Sequence, residues 1–211
     1  MEIQFYGADC IRVTAKSASV CIDDNLRKLG LKSITKADDI LLLTNSPELP
    51  DDIEGRLIIN QPGEYEVSNT VISGIPARSY SDEPDKLSST MFKLEAEDIR
   101  VLFIGNIFPE LSDSQLEIIG TVDVLVIPVG GNGHTLNGDD AIKLVKKIEP
   151  KLVVPTLYAD KKVKYPQPLS TLEEALSQMN MEVSETVPKL KLKANNFSES
   201  ETIKLVVLET T

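Results

Sequence analysis

The chain has 211 residues, of which 41% are hydrophobic and 26% charged. That is the profile of a globular protein able to bury one core, not of a disordered segment. The formal net charge of −11 sets up repulsion with phosphate, so neither nucleic acid nor an anionic membrane is expected as a partner. No apolar run reaches the roughly 18 residues of a membrane span, and Met1–Tyr6 lacks the basic start and apolar core of a signal peptide. A cytoplasmic location is expected.

The first half alternates short apolar runs with turn residues. Strands are predicted over Glu2–Tyr6, Cys10–Thr14, Ser19–Ile22, Ile40–Thr44, Leu57–Asn60, Glu64–Val67 and Thr70–Pro76, each bounded by Gly, Pro, Asn or Asp. Gln61-Pro62-Gly63 has the Pro-then-Gly order of a type II turn, and Ser68-Asn69 reads as a hairpin. Cys10 and Cys21 fall inside apolar stretches. They read as small buried hydrophobes in a reducing compartment, with a disulfide or reactive thiol as the alternative.

Tyr80–Ser89 is polar, contains Pro84, and is the best candidate for a long mobile loop. Further strands are predicted over Thr90–Leu94, Val101–Gly105, Val124–Val129, Leu152–Pro155 and Thr202–Leu208. The unbroken apolar run at Val124–Pro128 suits a strand covered on both faces. Helices follow from capping boxes at Ser112–Gln115 and Ser170–Glu173, and from Ala141, Leu144, Val145 and Ile148, which share one face of an Asp139–Ile148 helix ended by Pro150. Lys161-Lys162-Val163-Lys164, the densest basic run, reads as a solvated loop.

The chemistry is bounded by one number: the chain has a single histidine, His134. Zinc sites in hydrolases draw on several neutral imidazoles, which one histidine cannot supply. His134 sits in the glycine-rich Gly130–Thr135 loop after a buried strand, where it reads as a hydrogen-bonded loop residue or as a pocket-lining group. No Gly-x-Ser-x-Gly nucleophile elbow and no phosphate-binding loop is present. The acidic pairs Asp23-Asp24, Asp38-Asp39, Asp51-Asp52 and Asp139-Asp140 read mainly as solvated turn residues or helix N-terminal charges, because adjacent strand residues point to opposite faces. An oxygen-liganded Mg²⁺ or Ca²⁺ site is left open.

Several segments carry a family resemblance: Tyr6-Gly7-Ala8-Asp9-Cys10-Ile11, Cys21-Ile22-Asp23, Pro62-Gly63-Glu64-Tyr65-Glu66-Val67 and Val122 through Gly131. It continues through Asp140–Pro155 and the tail from Leu190 to Glu209. Over nearly its whole length the chain resembles the metallo-β-lactamase superfamily, in particular the small zinc-dependent hydrolases related to ascorbate-phosphate lactonase. The resemblance implies an α+β fold: a four-layer αββα sandwich of two mixed sheets packed face to face with helices outside. It implies one domain over 1–211, strand-rich to about 95 and strand/helix beyond, and it implies a homo-oligomer.

The resemblance also locates where metal ligands would stand, and other residues occupy those places. The first ligand position is Ala8, beside Asp9. The His-x-His-x-Asp-His loop falls on Asn45-Ser46-Pro47-Glu48-Leu49-Pro50. The remaining positions fall on Ser79, Asn106 and Leu157. The family would use zinc or manganese; here no metal, no cofactor and no catalytic residue is expected. Two readings follow. One is a non-catalytic member binding a small molecule or protein, or playing a structural role, at a pocket of Ala8, Asp9, Asn45, Pro47, Pro50, Ser79, Asn106 and Leu157, with Asp23 and His134 as further lining. The other is a hydrolase of lactone, ester or phosphodiester type using carboxylates such as Asp9, Glu48, Asp51 or Asp52 in a non-standard site. Partial closure of that pocket by Leu49, Pro50 and Leu157 is expected.

Overall fold

The computed structural model describes residues 1–45, 56–197 and 202–211. Strands β1 (Glu2–Phe5), β2 (Ile11–Thr14), β3 (Ser19–Ile22), β4 (Ile40–Leu42) and β5 (Leu57–Ile59) form most of a six-stranded sheet. A two-residue strand, β13 (Leu190–Lys191), returns to pair with β1, giving the order β13-β1-β2-β3-β4-β5. The pairings are antiparallel from β13 to β3 and parallel from β3 to β5.

The second sheet has eight strands. It starts with an antiparallel meander of β6 (Gly63–Val67), β7 (Thr70–Ala77), β8 (Ser89–Ala96) and β9 (Ile99–Phe103). It continues in parallel through β10 (Val124–Pro128), β11 (Leu152–Thr156), β14 (Lys204–Leu208) and β12 (Val183–Val187). The β6–β7 hairpin turns at Ser68 and Asn69, both with positive φ (49° and 55°), as a type I′ turn requires. Glu97 and Asp98 (55° and 60°) do the same between β8 and β9. Gly63 is the first residue of β6, paired with Gly74, and its φ of 152° is wider than a type II turn would give it.

Period-two alternation builds the layers. Ile3 and Phe5, Ile11 and Val13, Val20 and Ile22, and Ile40 and Leu42 face the main core between the sheets. The opposite face of the same strands carries Cys10, Cys21, Leu41 and Leu43, which form a second apolar cluster with Leu26. Leu26 comes from a 3₁₀ turn, Leu26–Leu29, so the layer outside this sheet is a short turn with its following loop.

Helices cover the larger sheet. These are α1 (Asp113–Ile119), α2 (Gly138–Ile148) and α3 (Leu172–Met179). α1 opens with a complete Ser112/Gln115 capping box and stops at Gly120. α2 buries Ala141, Leu144, Val145 and Ile148, and Asn137 caps its N-terminus. The box of α3 is set by Thr171 and Glu174, one residue later than the Ser170 start predicted from sequence. β10 is buried at all five positions because helices lie on one face and the first sheet on the other. None of the described helices is long and apolar enough to cross a membrane.

Candidate functional site

Each predicted site residue within the described chain follows the carboxyl end of a strand. Ala8 and Asp9 follow β1, Asp23 follows β3 and Asn45 follows β4. Ser79 follows β7, Asn106 follows β9 and Leu157 follows β11. Strand direction therefore delivers segments far apart in sequence to one edge of the sandwich, where open α/β architectures bind ligands. Asp9, Asp23, Asn45, Ser79, Asn106 and Leu157 all line one cleft of about 600 Å³ there. Pro47 and Pro50, with Glu48, Leu49, Asp51 and Asp52, lie outside the described residues.

Two expected positions do not line this cleft. Ala8 is buried and contributes backbone: its carbonyl accepts from the Leu157 N–H at 2.7 Å, and its N–H donates to the Tyr165 hydroxyl at 3.1 Å. His134 is exposed; its carbonyl accepts from Asn106 Nδ2 at 2.9 Å, so only its backbone supports the cleft wall. Positive φ at Gly131, Asn132 and Gly133 (64°, 55° and 74°) forms the loop that carries it.

The floor is acidic. Asp9 Oδ1 accepts from Thr156 Oγ1 at 2.8 Å. Asp23 is 4% exposed and accepts from the Thr44 N–H at 2.8 Å and the Thr44 hydroxyl at 2.6 Å. Burial pushes the Asp9 carboxyl up to about 7, the nearby Asp23 charge adds to the rise, and the Thr156 hydrogen bond only partly offsets both. Burial likewise raises Asp23 to about 6 against the two Thr44 hydrogen bonds. Asp9 retains some exposed surface on the cleft side, but it is otherwise enclosed by protein, which is what its raised carboxyl reflects.

The walls are amide and hydroxyl. Asn45 Nδ2 donates to the Asn106 carbonyl at 3.2 Å, and the Ser89 hydroxyl donates to Asn45 Oδ1. Sequence patterning gives little hint of Thr44, Ser81, Asp82, Lys86 and Ser88, which also line the cleft. The polar Tyr80–Ser89 segment is the one signal for Ser81, Asp82, Lys86 and Ser88, and Thr44 reads only as the end of a predicted strand. That loop is organised around Asp82, which accepts from the Ser79 N–H (3.2 Å), from Ser88 and from Lys86 Nζ (3.1 Å).

Three non-glycine residues around the cleft, Ala8, Asp23 and Leu157, have positive φ (52°, 48° and 49°). Such backbone is costly for a residue as bulky as leucine, and it gathers at functional sites. Gly105 (φ 65°) packs against Thr44: a Cβ there would lie 2.4 Å from Thr44 Oγ1. Gly130 has the same role beside Leu157, whose carbonyl oxygen would be 2.1 Å from an added Cβ.

The cleft side chains among the described residues do not make up a zinc or manganese donor set. Among the described residues, no three His, Cys, Asp or Glu side chains converge on a common point. Alanine and leucine offer no side-chain donor, and both Asp23 oxygens already accept from Thr44. A larger groove of about 1010 Å³ crosses the outer face of the six-stranded sheet, but its central charges, Arg12 and Asp39, neutralise one another. Volume alone does not select it.

Comparison with known proteins bears on the same edge. A family model described as a β-lactamase superfamily domain matches residues 2–157, the span that contributes every described cleft residue. No curated protein matches the chain in sequence. Among solved structures, a Thermotoga maritima protein described as a zinc-dependent hydrolase of the metallo-β-lactamase superfamily superposes with a TM-score of 0.73 at 22% identity. That match covers 99% of this chain and 98% of the other. A Parabacteroides distasonis protein described as a metal-dependent hydrolase gives 0.62 at 17% identity, over 86% and 90% of the two chains. The metallo-β-lactamase-fold protein YhfI of Bacillus subtilis gives 0.59 at 11% identity, over 99% and 95%. At these identities the likeness establishes the fold.

Proposed function

The chain belongs to the β-lactamase superfamily, and from that premise we propose that it is a non-catalytic member that binds a ligand at the strand-end cleft. The carrying observation is the side-chain chemistry of that cleft. Hydroxyl, amide and alkyl groups stand where the resemblance puts metal ligands, on a metallo-β-lactamase sandwich that is otherwise intact. Ser79, Asn45 and Asn106 suit hydrogen bonding to a polar molecule and not the activation of a metal-bound water. The three left-handed residues support a site whose backbone geometry outlasted its chemistry. Two free, buried thiols support the cytoplasmic setting that belongs to this reading. The homo-oligomer rests on the resemblance, and light scattering tests it.

The test is elemental analysis of purified protein together with esterase, lactonase and phosphodiesterase assays. The expected result is substoichiometric zinc and manganese with no turnover. Stoichiometric metal, lost on chelation along with activity, overturns the proposal.

One observation favours a second reading, metal-free hydrolysis. Asp9 and Asp23 are two carboxyls lining one cleft, both raised by burial, a pattern used for acid–base work. Metal-independent turnover with a pH profile centred near these values, abolished by Asp9→Asn, selects it over the first.

A further inference from the structure

The cleft's unmet hydrogen-bonding and charge requirements all have one sign. Asp9 and Asp23 have no basic partner among the described residues, and the nearest cation in the lining, Lys86, is paired with Asp82 at 3.1 Å. Asn106 lines the same cleft, and its Oδ1 is a buried acceptor without a donor among the described residues. The remaining lining is hydroxyl and amide, with Leu157 as the apolar exception. Resting on the reading of this cleft as a binding site, we infer that its ligand carries a protonated amine, which docks at Asp9, with the buried Asp23 charge beneath it adding long-range attraction.

Competing chemistries fit less well. A phosphate or carboxylate ligand would have to approach two carboxylates, and like charges at close range are strongly disfavoured. A neutral polyol would satisfy the serines and asparagines and leave the acidic floor uncompensated. A divalent cation wants six or more oxygens, whereas among the described residues no three His, Cys, Asp or Glu side chains converge to begin such a shell. An ammonium group brings three N–H donors and a positive charge in one compact head. Long-range attraction acts in the same direction, since the chain carries a net charge of −11.

The probes are 1,4-diaminobutane and ethanolamine, with butane-1,4-diol as the neutral match, and inorganic phosphate and magnesium chloride as the rival chemistries. Each is added at millimolar concentration and low salt near about pH 8, where both carboxyls are ionised. The expected result is a rise in melting temperature with the amines, on the order of 5 °C at a hundredfold excess over Kd. Asp9→Asn should weaken amine binding by about tenfold or more. Leu157→Lys provides an independent check: it tethers an ammonium group in the cleft and should abolish the response to added amine. Asp38→Asn, in the outer groove, should leave binding unchanged.

A response to diol or phosphate that equals or exceeds the amine response overturns the inference while leaving a binding cleft intact. So does an amine response that survives both cleft variants, or no response to either amine. The binding reading itself fails on the metal and turnover assays, so the two failures are distinguishable.

Discussion

Asp23 accepts both the backbone N–H and the hydroxyl of Thr44, at 2.8 and 2.6 Å, joining the end of β3 to the end of β4 directly beneath the cleft. The same carboxylate helps raise Asp9. A structural tie and an electrostatic cost thus meet in one residue.

The first prediction concerns pH. Burial lifts Asp9 and Asp23 above their unfolded values, to about 7 and about 6, so the native state binds their protons more tightly. Their stabilising contribution is complete below about pH 4 and is lost as pH rises through about 6 to 7. Asp24 and Asp39 act oppositely. Burial opposes their ionisation, but hydrogen bonds from Thr35 and Ser33, and from Arg12 and Lys36, outweigh it; that stabilisation disappears in acid. Denaturant melts should therefore show maximal stability near about pH 5. Asp9→Asn should gain on the order of 1–3 kcal/mol at about pH 8 and little at pH 5. A flat difference between variant and parent across that range contradicts the assignment.

A second prediction concerns the outer face of the six-stranded sheet. Arg12 Nη1 and Nη2 bind Asp39 Oδ1 and Oδ2, both at 2.8 Å, with side-chain exposures of 7% and 3%. Arg12 also donates to Ser19 Oγ and to the Ile34 carbonyl, fixing the loop that leads into β4. Asp39→Ala leaves a buried guanidinium unpaired and should cost about 3–5 kcal/mol in urea unfolding. A loss below about 1 kcal/mol would place the pair among surface bridges of little energetic weight.

Thiol chemistry supplies the third. Cys10 and Cys21 lie in the same apolar cluster, both fully buried. The Cys10 thiol is pushed well above its usual value by hydrogen bonding with Cys21, then by burial and by the Cys21, Asp24 and Asp23 charges. Neither thiol should react with Ellman's reagent in the native state, and both should react in guanidinium. Rapid native labelling of either would refute this packing.

Gly105 supports the fourth. With φ at 65° and Thr44 Oγ1 only 2.4 Å from any added Cβ, Gly105→Ala must displace the side chain that holds Asp23. A destabilisation of about 2–4 kcal/mol is expected, measured by thermal unfolding, together with weaker amine response at the cleft. Unchanged stability would mean that the two strand ends move apart freely.

Much of this was readable from one sequence, for identifiable reasons. Capping chemistry located α1, and apolar spacing located α2, because both signals are local. Asp9, Asn45, Ser79, Asn106 and Leu157, with Asp23, came together because β1, β3, β4, β7, β9 and β11 all deliver their carboxyl ends to one edge. β12 gave no such signal: four of its five residues are exposed, so no buried face imposes alternation. β13 pairs with β1 over two residues only, a long-range contact invisible to pattern. Side-chain ties across loops, such as those of Asp82, depend on the assembled geometry, and for that reason half the cleft wall escaped prediction. Of the two readings of His134, the exposed, hydrogen-bonded loop residue matches its position and the pocket-lining alternative does not.

The cleft draws its lining from the ends of six strands in both sheets, between residues 9 and 157. No partial unfolding that frees either sheet can leave it intact, so occupancy is coupled to cooperative opening of the whole sandwich. In amide hydrogen exchange, a bound ligand should slow the deepest protons of β3, β10 and β11 alike, far from any contact with it. Amides of the exposed β12 edge, which can fray alone, should be unaffected.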